Sequence, residues 1–198
     1  MTLEWYATLF GFAVLMCGTP GPNNLMLTAS GANFGVRRTL PHLIGVSAGQ
    51  PVLQLVLALG LYPLFEGGAW LRTGLQIVGS LYLLWLAWRI TLAGSPGDPA
   101  GRARPMTLLE GLGFQFLNPK AWMMGISAIS LFSQNGAGYW PSQLIIMASF
   151  ALVALPVCFI WVVFGRQLGN WISSDQGWRR LNGTLGGLTA LCVVTLWM

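Results

Sequence analysis

Charge is what this sequence has least of. Only 8% of its 198 residues are Asp, Glu, Lys or Arg, against about 25% in an ordinary soluble domain. There are five acids, one histidine and a single lysine, Lys120; the other basic residues are arginine. A soluble chain of this length needs far more polar surface. A cytosolic enzyme, a disordered regulator and a small secreted module are therefore excluded together. Cysteine is scarce and odd in number. Cys17, Cys158 and Cys192 lie far apart in apolar runs, which excludes a disulfide framework or a metal-binding spacing. They read as small lipid- or core-facing residues, and no cofactor or metal is implied. The net charge is +5, yet the basic residues are scattered, so no basic stripe for nucleic acid exists. No basic region precedes the first apolar run, which opens Met1-Thr2-Leu3-Glu4; it reads as a retained span rather than a cleaved signal peptide.

What the chain does have is apolar length. Hydrophobic residues make up 55% of it, and a helix crossing the hydrocarbon core needs about 20 apolar residues. Apolar runs fall at 3–30, 43–65, 69–92, 106–132, 143–165 and 181–198. The expected fold is an all-α integral membrane protein of six transmembrane helices. Residues 1–93 form a first three-helix half, 94–105 a linker and 106–198 a second half, together one transporter domain. Eight of the ten basic residues, Arg37, Arg38, Arg89, Arg102, Arg104, Arg166, Arg179 and Arg180, lie in or beside the first, third and fifth loops. The positive-inside rule makes those loops cytoplasmic and places both termini outside. Trp5, Trp70, Trp88, Trp140 and Trp178 fall near span ends, as an interfacial aromatic belt would.

Three spans per half is odd, so homologous halves would insert in opposite orientations, the inverted-repeat plan of many secondary transporters. Aligning Pro22 with Pro119 also pairs Met26 with Met123 and Ser30 with Ser127. Other identities between the halves are few.

Span one is interrupted by Thr19-Pro20-Gly21-Pro22-Asn23-Asn24, and span four by Leu117-Asn118-Pro119-Lys120. Proline removes a helical donor and clashes with the turn before it, and Gly21 permits a sharp or unwound backbone. At membrane depth such breaks are tolerated where they line a cavity or are buried in protein. The half-helices restarting at 23–33 and 119–132 would begin near the midplane and point away from each other. Their N-terminal ends then converge, each carrying about half a positive charge, and suit an anionic group such as a carboxylate. Pro20, Gly21, Pro22, Asn23, Asn24, Asn118, Pro119 and Lys120 are the candidate substrate-binding residues. A lysine at that depth costs about 3 kcal/mol and asks for a partner.

Thr19-Pro20-Gly21-Pro22-Asn23-Asn24-Leu25, Gly35-Val36-Arg37-Arg38, Gly45-Val46-Ser47-Ala48-Gly49 and Leu117-Asn118-Pro119-Lys120-Ala121 together resemble the LysE/RhtB family of bacterial amino-acid exporters, over nearly the whole chain. The resemblance implies an inner-membrane efflux carrier for amino acids or their derivatives, driven by proton antiport with alternating access. Its partners would be a small amino-acid-like substrate, the lipid bilayer and, compatibly, further copies of itself. Members often follow the basic loop with Ala-Gly, where this chain has Thr39-Leu40-Pro41-His42; that leaves the substrate subgroup open.

Other features weigh less. Gly45-Val46-Ser47-Ala48-Gly49 matches the nucleophile-elbow pattern, but its only histidine, His42, lies about 140° away around the same helix. No acid–base–nucleophile set supports an intramembrane enzyme. Gly45 to Gly49 and Gly183 to Gly187 read as small-residue packing faces, and His42 as an interfacial residue. Pro51 and Pro156 are candidate kinks. Among the acids Glu4, Glu66, Asp98, Glu110 and Asp175, only Glu110 offers a candidate for proton coupling, and a helix-start role competes with it. A passive channel built on opposed half-helices is the alternative to a carrier; the chain lacks paired Asn-Pro-Ala motifs and is short for that fold.

Overall fold

A computed structural model describes residues 1–61, 69–95, 104–194 and 197. Glu66, Asp98, Arg102 and most of the expected linker 94–105 lie outside the described residues. The described elements are helical: α1 (Leu3–Gly18), α2 (Pro22–Val56), a π-helical turn (Leu57–Leu61), α3 (Ala69–Thr91), α4 (Leu108–Leu117), α5 (Pro119–Phe132), a 3-10 turn (Gly136–Gly138), α6 (Tyr139–Asn170) and α7 (Asp175–Leu191). No strand occurs among the described residues.

Local chemistry sets the helix starts. Thr2, Thr107, Asn118 and Ser174 each cap a first turn with a side-chain oxygen, taking one of the free N–H groups. Pro22 and Pro119 occupy the first turns of α2 and α5, where a missing N–H costs nothing. The breaks are therefore where the sequence placed them, but these two prolines open helices rather than kink them. The first loop, expected between the apolar runs 3–30 and 43–65, contracts to one residue: α2 bends at Gly35, whose φ of 73° suits glycine. Arg37 and Arg38 consequently belong to the helix. Pro51 and Pro156 stay within continuous helix.

Contacts fix the relative directions. Phe12 stacks near Phe150 (6.2 Å between centroids), Asn24 Oδ1 lies 3.8 Å from Cys158 Sγ, and Gly169 abuts the Ala32 carbonyl. Thus α1 and residues 22–34 run as one interrupted rod parallel to α6. Beyond Gly35 the chain doubles back, with Ser30 Oγ 3.0 Å from Thr39 Oγ1. Residues 36–56 run parallel to the second interrupted rod, since Gly45 meets Leu108, Gln50 meets Ala121 and Gly125 meets Leu57. Helices α3 and α7 are antiparallel, with Gly186 against Ala87 and Trp197 bonded to Ser80.

Glycines allow the closest approaches. A Cβ on Gly31 would strike the Val162 carbonyl, and one on Gly165 the Thr28 carbonyl. Gly45 and Gly49 pack on α4 as expected from their spacing. Gly183 and Gly187 do not: nothing lies within 4 Å of a Cβ built there, and Gly186, one helical face away, makes the contact.

Large apolar side chains are exposed on several helices, Leu15 at 68%, Leu81 at 64% and Leu152 at 73%. Two helical stretches, Pro22–Gly60 and Gly136–Asn170, are long and apolar enough to cross a membrane. Trp70, Trp88 and Trp140 are exposed. Trp178 is not; it is buried with its ring edge against Gly169, so it belongs to the packing and not to an exposed belt.

Candidate functional site

The two interruptions lie side by side. From the second, the Lys120 ammonium donates to the Thr19 carbonyl (2.6 Å) and to Thr19 Oγ1 (2.8 Å), with the Pro20 carbonyl at 3.5 Å. Its stem crosses Gly21 so closely that a Cβ there would sit 2.8 Å from Lys120 Cδ. Proline removes donors from the turn that precedes it, and Lys120 supplies one to the opposite break.

Amides complete the junction. Asn23 and Gln115 exchange Nδ2–H···Oε1 and Nε2–H···Oδ1 bonds of 3.0 and 3.2 Å. Asn24 Nδ2 donates to the Cys17 and Thr19 carbonyls, both at 2.9 Å. Asn118 Oδ1 accepts from the Lys120 N–H at 3.1 Å, and its Nδ2 has no hydrogen-bond partner among the described residues. Gln50 Nε2 donates to the Ala121 carbonyl at 3.2 Å. The carbonyl that Pro119 deprives of a partner, that of Gln115, accepts from the Asn118 N–H instead.

Residues 22–34 and 119–132 begin at this junction and run in opposite senses, following α6 and residues 36–56 respectively. Their N-terminal ends do meet. The two ends are unequal, however. Asn118 caps the start of α5 with its side chain, whereas α2 starts at Gly21 with no side-chain cap. The uncapped end keeps the N–H groups of Asn23 and Asn24 for an incoming acceptor.

A cavity of about 30 Å³ lies between the breaks, lined by Met16, Cys17, Gly21, Asn23, Asn24, Val46, Gln50, Gln115, Asn118, Lys120, Met124, Ala154 and Cys158. That is room for about two waters, less than an amino acid needs. The structure is closed around its own polar groups. Five of the eight sequence-predicted site residues, Gly21, Asn23, Asn24, Asn118 and Lys120, line this space; Pro20 forms the exposed turn at its edge, and Pro22 and Pro119 open α2 and α5 beside it. Gln50 and Gln115 were not singled out from sequence, and Cys17 and Cys158, read there as small lipid- or core-facing residues, were not placed in the site. The available signal was an uncharged polar residue inside an apolar run, which identifies Gln50 and Gln115 but not the cysteines.

Glu110 lies apart from this junction. Its carboxylate pairs with Arg104 at 2.7 and 2.5 Å and closes a capping box with Thr107. The hydrogen bond and the charge of Glu110 together raise the Arg104 pKa above its usual value. His42, expected at an interface, is 1% exposed, with its ring beside Gly111. Among the described residues its two nitrogens and Ser47 Oγ have no hydrogen-bond partner; no bond joins the two residues, and Ser47 has no base beside it. Among the described residues, no cluster of His, Cys, Asp or Glu could hold a metal ion.

Comparison with known proteins identifies the family. The family described as "LysE type translocator" matches residues 12–196. A cysteine/O-acetylserine efflux protein of Klebsiella pneumoniae is 33% identical over 87% of this chain and 92% of its own length. One from Salmonella choleraesuis is 31% identical over 99% of both chains, and one from Escherichia coli K12 is 28% identical over the same shares. No solved structure matches.

Proposed function

This chain belongs to the LysE translocator family, and from that premise we propose that it exports small amino acids of the cysteine and O-acetylserine kind. Family membership makes it a membrane translocator and not an enzyme. The substrate class comes from the relatives' names and fits a site of amides, one ammonium and an uncapped helix start.

The observation that carries the reading is the grip of Lys120 on Thr19. An ammonium at this depth needs an acceptor, and among the described residues it has two carbonyls and a hydroxyl, all uncharged and all from the other break. A substrate carboxylate is a stronger acceptor for it. In our reading the carboxylate takes the place of Thr19, accepts from the Asn23 and Asn24 N–H groups, and meets the unpartnered Asn118 amide. Pro20, Gly21, Pro22 and Pro119 hold the two backbones open around it.

The directions of the helices support six spans in two inverted halves. Each half runs short helix, break, short helix, long helix, helix. The interrupted rod of each half lies parallel to the long helix of the other, and α3 and α7 pair with one another. A two-fold axis exchanging the halves generates this pattern. With arginine-bearing loops inside, both termini face outward from a bacterial inner membrane, and rocking of the halves gives alternating access. Proton antiport is the energy source that the resemblance implies; Glu110, engaged with Arg104, has no contact with this site.

Purified protein in liposomes tests the reading through counterflow of labelled O-acetylserine. A carrier accelerates uptake when unlabelled substrate fills the interior, whereas an open pore does not. Counterflow that Lys120→Ala and Asn118→Ala abolish is the expected result. Unchanged counterflow in both variants would overturn the site.

A further inference from the structure

We propose that a second pocket, between α2, α3 and the start of α4, is the loading site where the carboxylate of an exported amino acid first docks. The inference rests on the exporter reading above and adds a site to it. The pocket has a volume of about 60 Å³, twice that between the breaks, and Met26, Ser30, His42, Arg89 and Arg104 are among its lining residues.

Two observations point to an anionic ligand. His42 is 1% exposed, and neither ring nitrogen has a hydrogen-bond partner among the described residues. A buried polar group without a partner is costly, and a ligand with acceptor oxygens supplies one. Arg89 lies half-buried in the pocket wall, over the Trp85 ring at 4.9 Å, with only the Arg104 carbonyl at 3.5 Å as acceptor and no carboxylate among the described residues. Arg104, by contrast, is neutralised by Glu110, so among the described residues the unmatched charge of the pocket is that of Arg89. A guanidinium and an imidazole N–H suit a carboxylate in charge and hydrogen-bonding capacity.

The pocket's position says what it serves. Met26 lines it one helical turn beyond Asn23, and His42 lies one turn before Val46, while Asn23 and Val46 line the cavity between the breaks. One turn rises about 5.4 Å. The two spaces are thus stacked along the same pair of helices and separated by a thin apolar layer. In that layer Met26 packs in one cluster with Leu83 and Phe114. The pocket lies at the arginine-bearing end of the molecule, with Phe34, Arg89 and Arg104 in its wall. A carboxylate held by Arg89 and His42 waits directly beneath Asn23 and Asn24, and withdrawal of Met26 admits it.

Sidedness is the test. Vesicles of each orientation, carrying wild type, Arg89→Gln or His42→Gln, are assayed for labelled O-acetylserine and cysteine, with cysteamine as a competitor lacking the carboxylate. Each variant is expected to raise the half-saturating concentration about tenfold from the face bearing Arg37 and Arg166, the loss of one charged hydrogen bond. Saturation from the opposite face, and competition by cysteamine, are expected to stay as in wild type. An equal rise from both faces, or none from either, would overturn the loading site. Arg89 is at the pocket rim, so R89Q carries the test even if the buried His42 tolerates no replacement. Absence of counterflow in the wild type would instead overturn the exporter reading itself.

Discussion

Asn23 and Gln115 bond to each other twice, each amide serving as donor and acceptor, across a separation of 92 residues. The pair ties the turn after the first break to the helix before the second. Gln115 is fully buried, and its other bond, to the Gly111 carbonyl, is long at 3.4 Å.

Removing one partner should therefore hurt more than removing both. Asn23→Ala strands the Gln115 amide and is expected to cost about 1–3 kcal/mol of stability. Asn23→Leu combined with Gln115→Leu should lose less than the two single leucine variants added together. Thermal unfolding of the four proteins in one detergent measures the coupling. Strict additivity would refute a direct amide pair.

Gly21 is extended, with φ near −178°, so alanine there meets no backbone penalty. Its methyl would instead collide with Lys120 Cδ. Gly21→Ala is expected to push the ammonium off Thr19 and to slow counterflow at least tenfold with the fold intact. Added to Lys120→Ala, it should reduce transport no further. A further reduction would mean that Gly21 acts by another route.

The glycine contacts sort into costly and harmless positions. Gly31→Ala and Gly165→Ala place a methyl on a backbone carbonyl of the facing helix and should each destabilise by about 1–3 kcal/mol. Gly183→Ala and Gly187→Ala meet nothing and should raise stability by up to about 1 kcal/mol through helix propensity. Melting temperatures with opposite shifts are the expected readout.

Glu110 separates a cap from a coupling group. Both carboxylate oxygens already bond, to Arg104 and to the Thr107 N–H. Glu110→Gln is expected to lower stability by about 1 kcal/mol or less, the range of an exposed pair with a helix cap. Uptake driven by a pH gradient should persist. Its selective loss, with counterflow retained, would give Glu110 the coupling role.

Much of the junction was legible because proline, asparagine and a lone lysine each carry a local rule. Proline at 22 and 119 had to mark breaks, and a lysine inside an apolar run had to find an acceptor. That the acceptor is the Thr19 carbonyl is a property of three-dimensional assembly and has no local signature. His42 shows the opposite failure. Beside two arginines it reads as interfacial, but α2 continues through Arg37 and Arg38 and turns the imidazole onto Gly111. Trp178 misleads in the same way, since only the facing glycine, Gly169, reveals that the ring has somewhere to go. Spacing alone also could not tell Gly183 and Gly187 from Gly186. The choice depends on which face of α7 meets α3.

The interruptions have a mechanical consequence. Bending a continuous helix stretches or breaks its ladder of backbone hydrogen bonds. At Gly21 and Asn118 the ladder is already discontinuous, its loose ends held by Thr19, Asn24 and Asn118. A swing of either half-helix about its proline therefore turns a few torsions and releases side-chain clasps, with no rung of the ladder lost. The lysine clasp spans both pivots, so freeing it unlocks the two arms at once.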